Sequence, residues 1–171
     1  LWSRGLGDVY KRQVVVHPQS IVHSMVEFAD GSTLAQASPP DMRLPIALGL
    51  AWPDRIADAA PGCDWTAVAT WEFFPLDEDA FPAVRLARRA GSAGGTAPAV
   101  FNAADEACVS AFLSGRIAFR QIVRTVEQVL EEHLAGGDGR EGSSWVRGND
   151  VDLAAVVSAD AWARERALSG A

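Results

Sequence analysis

Histidine is the side chain whose ordinary pKa lies closest to neutrality, and this 171-residue chain has three. His17 and His23 stand six residues apart in the run His17-Pro18-Gln19-Ser20-Ile21-Val22-His23-Ser24-Met25. On one continuous strand that separation is on the order of 20 Å at about 3.3 Å per residue, too far to grip a single ion unless Pro18 bends the chain. Each ring reads as a hydrogen-bonded histidine in a sheet. His133, inside an acidic helix end, suits the negative end of the helix dipole and otherwise carries no signal. Ser20 and Ser24 beside His23 could point to a serine hydrolase, but no G-x-S-x-G elbow or oxyanion-hole pattern accompanies them. The run Gly91 to Thr96 opens a helix after another helix and matches no phosphate-loop pattern, so it reads as a turn and a cap. Asp77-Glu78-Asp79 reads as a solvated loop ahead of a helix.

These residues need elements to position them. Val14 to Val16 with His17 before Pro18 predicts a buried strand ending near His17. Ile21 to Phe28 alternates, placing Val22, Ser24, Val26 and Phe28 on one face. Asp30-Gly31 then signals a turn, and Thr33 to Ala37 returns as the second arm of a β-hairpin. A hairpin alone is marginal in water, so its edge must join a larger sheet or another subunit. Arg43 to Trp52 predicts a short helix with Pro45 in its first turn, stopped at Trp52-Pro53. Ala67 to Leu76, rich in aromatic residues, predicts a further strand, and Pro82 to Ala90 a helix.

The remainder reads as helical. Thr96 is the expected N-cap of a helix with Pro98 in its first turn, carried by Val100, Ala104, Ala107, Ala111 and Phe112 and stopped by Gly115. Phe119, Ile122, Val123, Val126, Leu130 and Leu134 form one apolar stripe of the next helix. After the glycine-rich loop from Gly136 to Gly142, a last helix capped by Ser158 and anchored by Trp162 is expected over Ser158 to Leu168. Three or four such helices make a small bundle.

A formal net charge of −7 and a pI near 4.9 argue against a nucleic-acid partner, which needs a basic surface to displace counterions from phosphates. No apolar run approaches the roughly 18 to 20 residues that span a bilayer, and the N-terminus has no secretory h-region, so a cytoplasmic protein is expected with no membrane partner. Cys63 and Cys108 lack a CxxC spacing and read as reduced thiols. Leu1 to Gln13 has no periodicity, and Asp8-Val9-Tyr10-Lys11-Arg12-Gln13 resembles the translation of a transposon-end sequencing adapter. The segment 1–13 is therefore expected to be a non-native leader.

Two ordered signatures go further. His17-Pro18-Gln19-Ser20-Ile21-Val22-His23-Ser24-Met25-Val26, with Asp30-Gly31-Ser32, Pro40-Asp41-Met42-Arg43 and Pro45-Ile46, resembles a signature of the 1-deoxy-D-xylulose 5-phosphate reductoisomerase family. Ala51-Trp52-Pro53 and the stretch Gly94-Gly95-Thr96-Ala97-Pro98-Ala99-Val100-Phe101-Asn102-Ala103-Ala104-Asp105-Glu106, followed by Ala111-Phe112-Leu113, are similar to a second family segment in the same order. Ala37-Ser38 and Asp105 depart from the usual Leu-Gly and Asn, and roughly the last thirty-five residues match only weakly.

The resemblance implies an α+β chain: the end of a mixed catalytic-domain sheet (14–40), a connecting segment (41–79) and a C-terminal helical bundle (80–171). It implies an enzyme using NADPH and a divalent metal (Mg2+, Mn2+ or Co2+) to convert 1-deoxy-D-xylulose 5-phosphate to 2-C-methyl-D-erythritol 4-phosphate in isoprenoid biosynthesis, as a homodimer. It carries supporting roles onto His23 and His17, a nicotinamide-side position onto Met42 and Pro40, and a substrate-side position onto Ser20. Metal ligands, phosphate contacts and the nucleotide loop are expected upstream of this segment, leaving it inactive alone. A non-catalytic assembly module is the alternative.

Overall fold

The computed structural model describes residues 13–169; the expected leader, apart from Gln13, lies outside the described residues. Two compact units divide the chain between Leu76 and Asp77.

The first unit holds β1 (Val15–Val16), β2 (Val22–Glu27), β3 (Thr33–Ala37), α1 (Arg43–Ala51) and β4 (Phe74–Pro75). The Asp30-Gly31 turn forms as the sequence predicts, because Gly31 takes a φ of 85° that a side chain would strain. The Asp30 carboxylate accepts from the Ser32 amide at 2.9 Å and hydroxyl at 2.6 Å, pinning the reversal locally. Behind it β2 and β3 pair antiparallel, Glu27 opposite Thr33 and Met25 opposite Ala35. The register shifts between Val22 and Ser24, so the single alternating face expected from Val22 to Phe28 is broken by a bulge at His23.

Two expectations for this unit are corrected. Val14, Val15 and Val16 are 45%, 43% and 42% exposed instead of buried, since β1 has β4 as its one paired neighbour. The strand expected over Ala67 to Leu76 shrinks to Phe74–Pro75, opposite Val16 and Val15. A ladder reaches only as far as its partner, and Val68 is fully exposed. Helix α1 forms as expected with Pro45 in its first turn, where the missing N–H costs nothing. Among the described residues from Val14 to Leu76, none is fully buried.

The second unit packs α2 (Ala83–Ala93), α3 (Ala97–Leu113), α4 (Phe119–Leu134) and α5 (Leu153–Leu168). Its core lies along α3, whose Ala103, Ala104, Ala107 and Ala111 are small enough for α4 and α5 to approach closely. Val100, Val126, Val129 and Trp162 fill the space between them, each such side chain contributing roughly 1.5 to 3 kcal/mol on burial. Gly115, at φ 75°, ends α3 where expected, its N–H bonded to the Phe112 carbonyl at 2.9 Å.

Four readings of this unit change. The α4 stripe is buried only from Val126 onward, Phe119 being 59% exposed. Thr96 occupies the N-cap position of α3 without capping it; its hydroxyl is engaged elsewhere. Helix α5 begins five residues before the expected Ser158, because the Asp152 carboxylate accepts from the Ala155 N–H at 2.7 Å and caps it there. His133 is fully buried at a helix end, in an environment that disfavours the charge a dipole role needs.

Candidate functional site

His17, Gln19, Ser20 and His23 lie on the turn between β1 and β2 and on the first residues of β2. The turn closes by the Ser20 N–H donating to the His17 carbonyl at 3.1 Å, and Ser20 sits in the left-handed region at φ 53°. A serine there is strained by about 1 to 3 kcal/mol and needs surroundings that hold it.

A clip supplies that hold. His17 donates from Nδ1 to the Glu72 carbonyl at 2.8 Å, while its ring stacks on Phe73 at 4.5 Å between centroids. Gln19 donates through Nε2 to the Glu72 carboxylate at 3.0 Å and accepts from the Glu72 N–H at 3.2 Å. The Nδ1 donation leaves Nε2 as the second ring nitrogen, buried and without a hydrogen-bond partner among the described residues. Glu72 lies 53 residues from Gln19, so nothing local in the sequence announces the clip.

His23 faces a different neighbour. At the bulge it donates from Nε2 to the Ser38 carbonyl at 3.1 Å, which leaves Nδ1 unengaged by that bond on an exposed ring. The two histidines thus hold separate pieces of backbone. Ser20 and His23 form no nucleophile-base pair among the described hydrogen bonds.

Pro40 and Met42 flank Asp41 just ahead of α1, and Met42 is 72% exposed. Asp41 accepts Arg43 Nε at 2.9 Å and also the Arg43 N–H at 2.9 Å. Those bonds hold its carboxyl down to about 2. This fork fixes the backbone on both sides of Met42 while its thioether stays open. In the same unit Gln19, Ile21, Pro39, Cys63, Trp65 and Trp71 line a cleft of about 300 Å3.

Among the described residues, no three His, Cys, Asp or Glu side chains converge closely enough to hold a metal ion. No described helix is long and apolar enough to cross a membrane. In the helical unit a groove of about 500 Å3 is walled by Phe81, Phe101, Phe119 and Asp105. Burial, then neighbouring Glu106, pushes the Asp105 carboxyl above its ordinary range.

Residues 37–166 match the family described as the DXP reductoisomerase C-terminal domain. The chain belongs to the DXP reductoisomerase family. Among relatives of this reductoisomerase family, the 1-deoxy-D-xylulose 5-phosphate reductoisomerase of Kitasatospora griseola is 64% identical over 155 residues, 91% of this chain and 38% of that protein. The Cutibacterium acnes protein of the same name is also 64% identical, over 168 residues, covering 98% of this chain and 40% of its own length. A crystal structure of DOX-P reductoisomerase in complex with NADPH, fosmidomycin and magnesium superposes with a TM-score of 0.82 at 35% identity, over 95% of this chain and 39% of the other. The Zymomonas mobilis reductoisomerase in complex with NADPH gives 0.75 at 39% identity, over 92% and 38%. The chain therefore spans about two fifths of the length of the curated reductoisomerases it matches. Among the described residues, five α-helices and two small sheets make a mixed fold, in agreement with the α+β class the sequence predicts.

Proposed function

We propose that this chain forms the C-terminal part of a 1-deoxy-D-xylulose 5-phosphate reductoisomerase, with residues 14–40 closing the catalytic sheet, 41–79 connecting and 80–171 forming the helical domain. The observation that carries this reading is the 64% identity over 168 residues to the Cutibacterium acnes reductoisomerase. In the full enzyme NADPH supplies a hydride, and a divalent metal (Mg2+, Mn2+ or Co2+) polarises the oxygens of 1-deoxy-D-xylulose 5-phosphate, giving 2-C-methyl-D-erythritol 4-phosphate. The magnesium and NADPH complexes of the structural neighbours support that cofactor set.

The chain's own residues would act as a wall. Met42 offers a polarizable thioether to the nicotinamide face, with Pro40 beside it limiting backbone freedom. Ser20 presents a hydroxyl to substrate from a turn clipped by His17 and Gln19. His23 offers Nδ1 as an acceptor that orients a neighbouring polar group, its other nitrogen being tied to Ser38. The described residues do not fit a metal, and its ligands are assigned to sequence upstream of Val14. The segment alone is accordingly inactive. A coupled assay of NADPH oxidation with 1-deoxy-D-xylulose 5-phosphate and magnesium tests this: no turnover by the chain is expected, and turnover would overturn it.

A second reading, an assembly module, is favoured by one observation. The hairpin leaves Val26, Phe28 and Leu34 at 50%, 51% and 63% exposed, an uncovered surface that a second copy would bury. Light scattering distinguishes the two states, with a dimer supporting pairing and a monomer removing it.

A further inference from the structure

His133, in the last turn of α4, is the largest fully buried polar side chain of the helical unit. It donates from Nδ1 to the Ser143 carbonyl at 2.7 Å, so the neutral ring must accept at Nε2, where the Thr96 hydroxyl lies at 2.8 Å. The Thr96 oxygen in turn accepts from the Val146 N–H at 3.1 Å, and the Thr96 N–H donates to the Val146 carbonyl at 3.1 Å. Trp145 donates from its indole to the Gly94 carbonyl at 3.2 Å. One imidazole therefore ties three pieces together: the end of α4, the start of α3, and the strap from Gly136 to Val146. Its ring lies against Trp162 of α5, with centroids 5.6 Å apart.

The arrangement tolerates only a neutral ring. A proton taken from solvent at Nε2 consumes the lone pair that receives the Thr96 O–H. The Thr96 oxygen must then turn to accept the new N–H and gives up its donation to the ring, so the bond that closes the buried site has to be rebuilt. Among the described residues, no carboxylate stands at either ring nitrogen to balance the charge. Several charged groups on the surrounding elements are engaged with one another, and Arg147, just past the strap, lies over the Trp145 ring at 4.8 Å. On the strap, Asp138 pairs with Arg140, which also holds Glu165 of α5, and Glu141 accepts from Ser158. Elsewhere on α5, Arg166 pairs with Glu132 of α4, and Arg164 with Asp160 and Glu106. Arg89 of α2 pairs with Glu131 of α4.

We propose that His133 is an acid-operated latch: neutral, it fastens the Gly136–Val146 strap to the head of α3, and protonated, it releases the strap while the α3–α5 core remains packed. Burial holds the imidazole below its ordinary range, the Ser143 carbonyl partly opposing that shift, so release falls on the acid side of about pH 6.5. The unfolded chain binds this proton more readily than the folded one, so stability rises with pH through this window and is lost as pH falls from the ordinary value toward the folded one. Release would uncover Thr96 and Trp145 together.

Nitrogen-15 NMR of the full 171-residue chain tests this, reading the His133 ring titration beside hydrogen exchange of the Thr96 and Val146 amides. The latch requires the Nδ1–H tautomer at neutral pH. It also requires protection of both amides to fall at least about tenfold over the pH range in which His133 titrates, while Ala104 and Ala107 in mid-α3 stay protected. His133→Gln, which can accept from Thr96 and donate to Ser143 without titrating, should keep the strap closed and abolish the acid step. Titration of His133 with both amides still protected would overturn the proposal, as would the same acid step in His133→Gln. Should that variant fail to fold, the wild-type coincidence of titration and lost protection decides alone.

Discussion

Gln19 and Glu72, 53 residues apart in sequence, hold each other by two hydrogen bonds, amide to carboxylate at 3.0 Å and backbone N–H to amide oxygen at 3.2 Å. Together with His17 they fasten the turn carrying Ser20 to the segment leading into β4. Replacing Gln19 with Leu removes both bonds and should cost about 1 to 3 kcal/mol of local stability, since each bond contributes roughly 0.5 to 1.5 kcal/mol net. Hydrogen exchange at the Glu72 amide measures it; unchanged protection would show that the clip does not hold the turn.

The hairpin was legible because its signals are local: a turn pair, an alternation and a return within about seventeen residues. Helices α3 and α4 were legible because their apolar spacing is periodic. What escaped was set by partners distant in the chain. His133 reads as a helix-end residue suited to the dipole until Thr96, 37 residues away, and Ser143 are seen to enclose it. The aromatic run before β4 has strand composition, but composition does not supply a partner, and only two residues find one. At α5 both Asp152 and Ser158 are good cap types, and Leu153, 80% exposed, gave no apolar phase to choose between them. The signatures single out His17, Ser20, His23, Pro40 and Met42 as candidates, whereas the pairing of Gln19 with Glu72 emerged only from the geometry.

The corrected start of α5 predicts a contrast. Asp152→Ala removes the carboxylate that accepts from the Ala155 N–H and should cost about 1 kcal/mol. Ser158→Ala loses one exposed contact to Glu141 at 3.2 Å and should cost a few tenths of that. Urea unfolding of the helical signal by circular dichroism ranks the two; a larger loss at Ser158 would restore the later start.

Gly95 and Gly115 both have positive φ, 61° and 75°, yet only one is enclosed. A Cβ on Gly95 would lie 2.0 Å from the Val146 carbonyl oxygen, whereas one on Gly115 meets nothing within 4 Å. Gly115→Ala should cost about 1 kcal/mol from backbone strain, and Gly95→Ala several-fold more because the strap must also move. Equal shifts in thermal midpoint would contradict the close approach.

Asp41 gives a pH prediction. Hydrogen bonds from the Arg43 side chain, then from its backbone, lower the Asp41 pKa to about 2. A carboxyl lowered in the folded state contributes stability above its ordinary pKa of about 3.9, and that contribution fades as pH falls toward the folded value. Carbon-13 NMR should find Asp41 titrating near the low value and returning toward the ordinary one in Arg43→Gln. If it titrates normally in both, the fork beside Met42 is not formed.

These residues are proposed to serve as the C-terminal part of a DXP reductoisomerase. The direct measurement is kcat/KM for NADPH-dependent turnover of 1-deoxy-D-xylulose 5-phosphate by a chimera in which residues 14–171 replace the matching segment of the Cutibacterium acnes enzyme. The account predicts activity within about tenfold of the parent, because the clipped turn, His23 and Met42 stand on the same kind of fold. A folded chimera that binds NADPH but shows no turnover would contradict it.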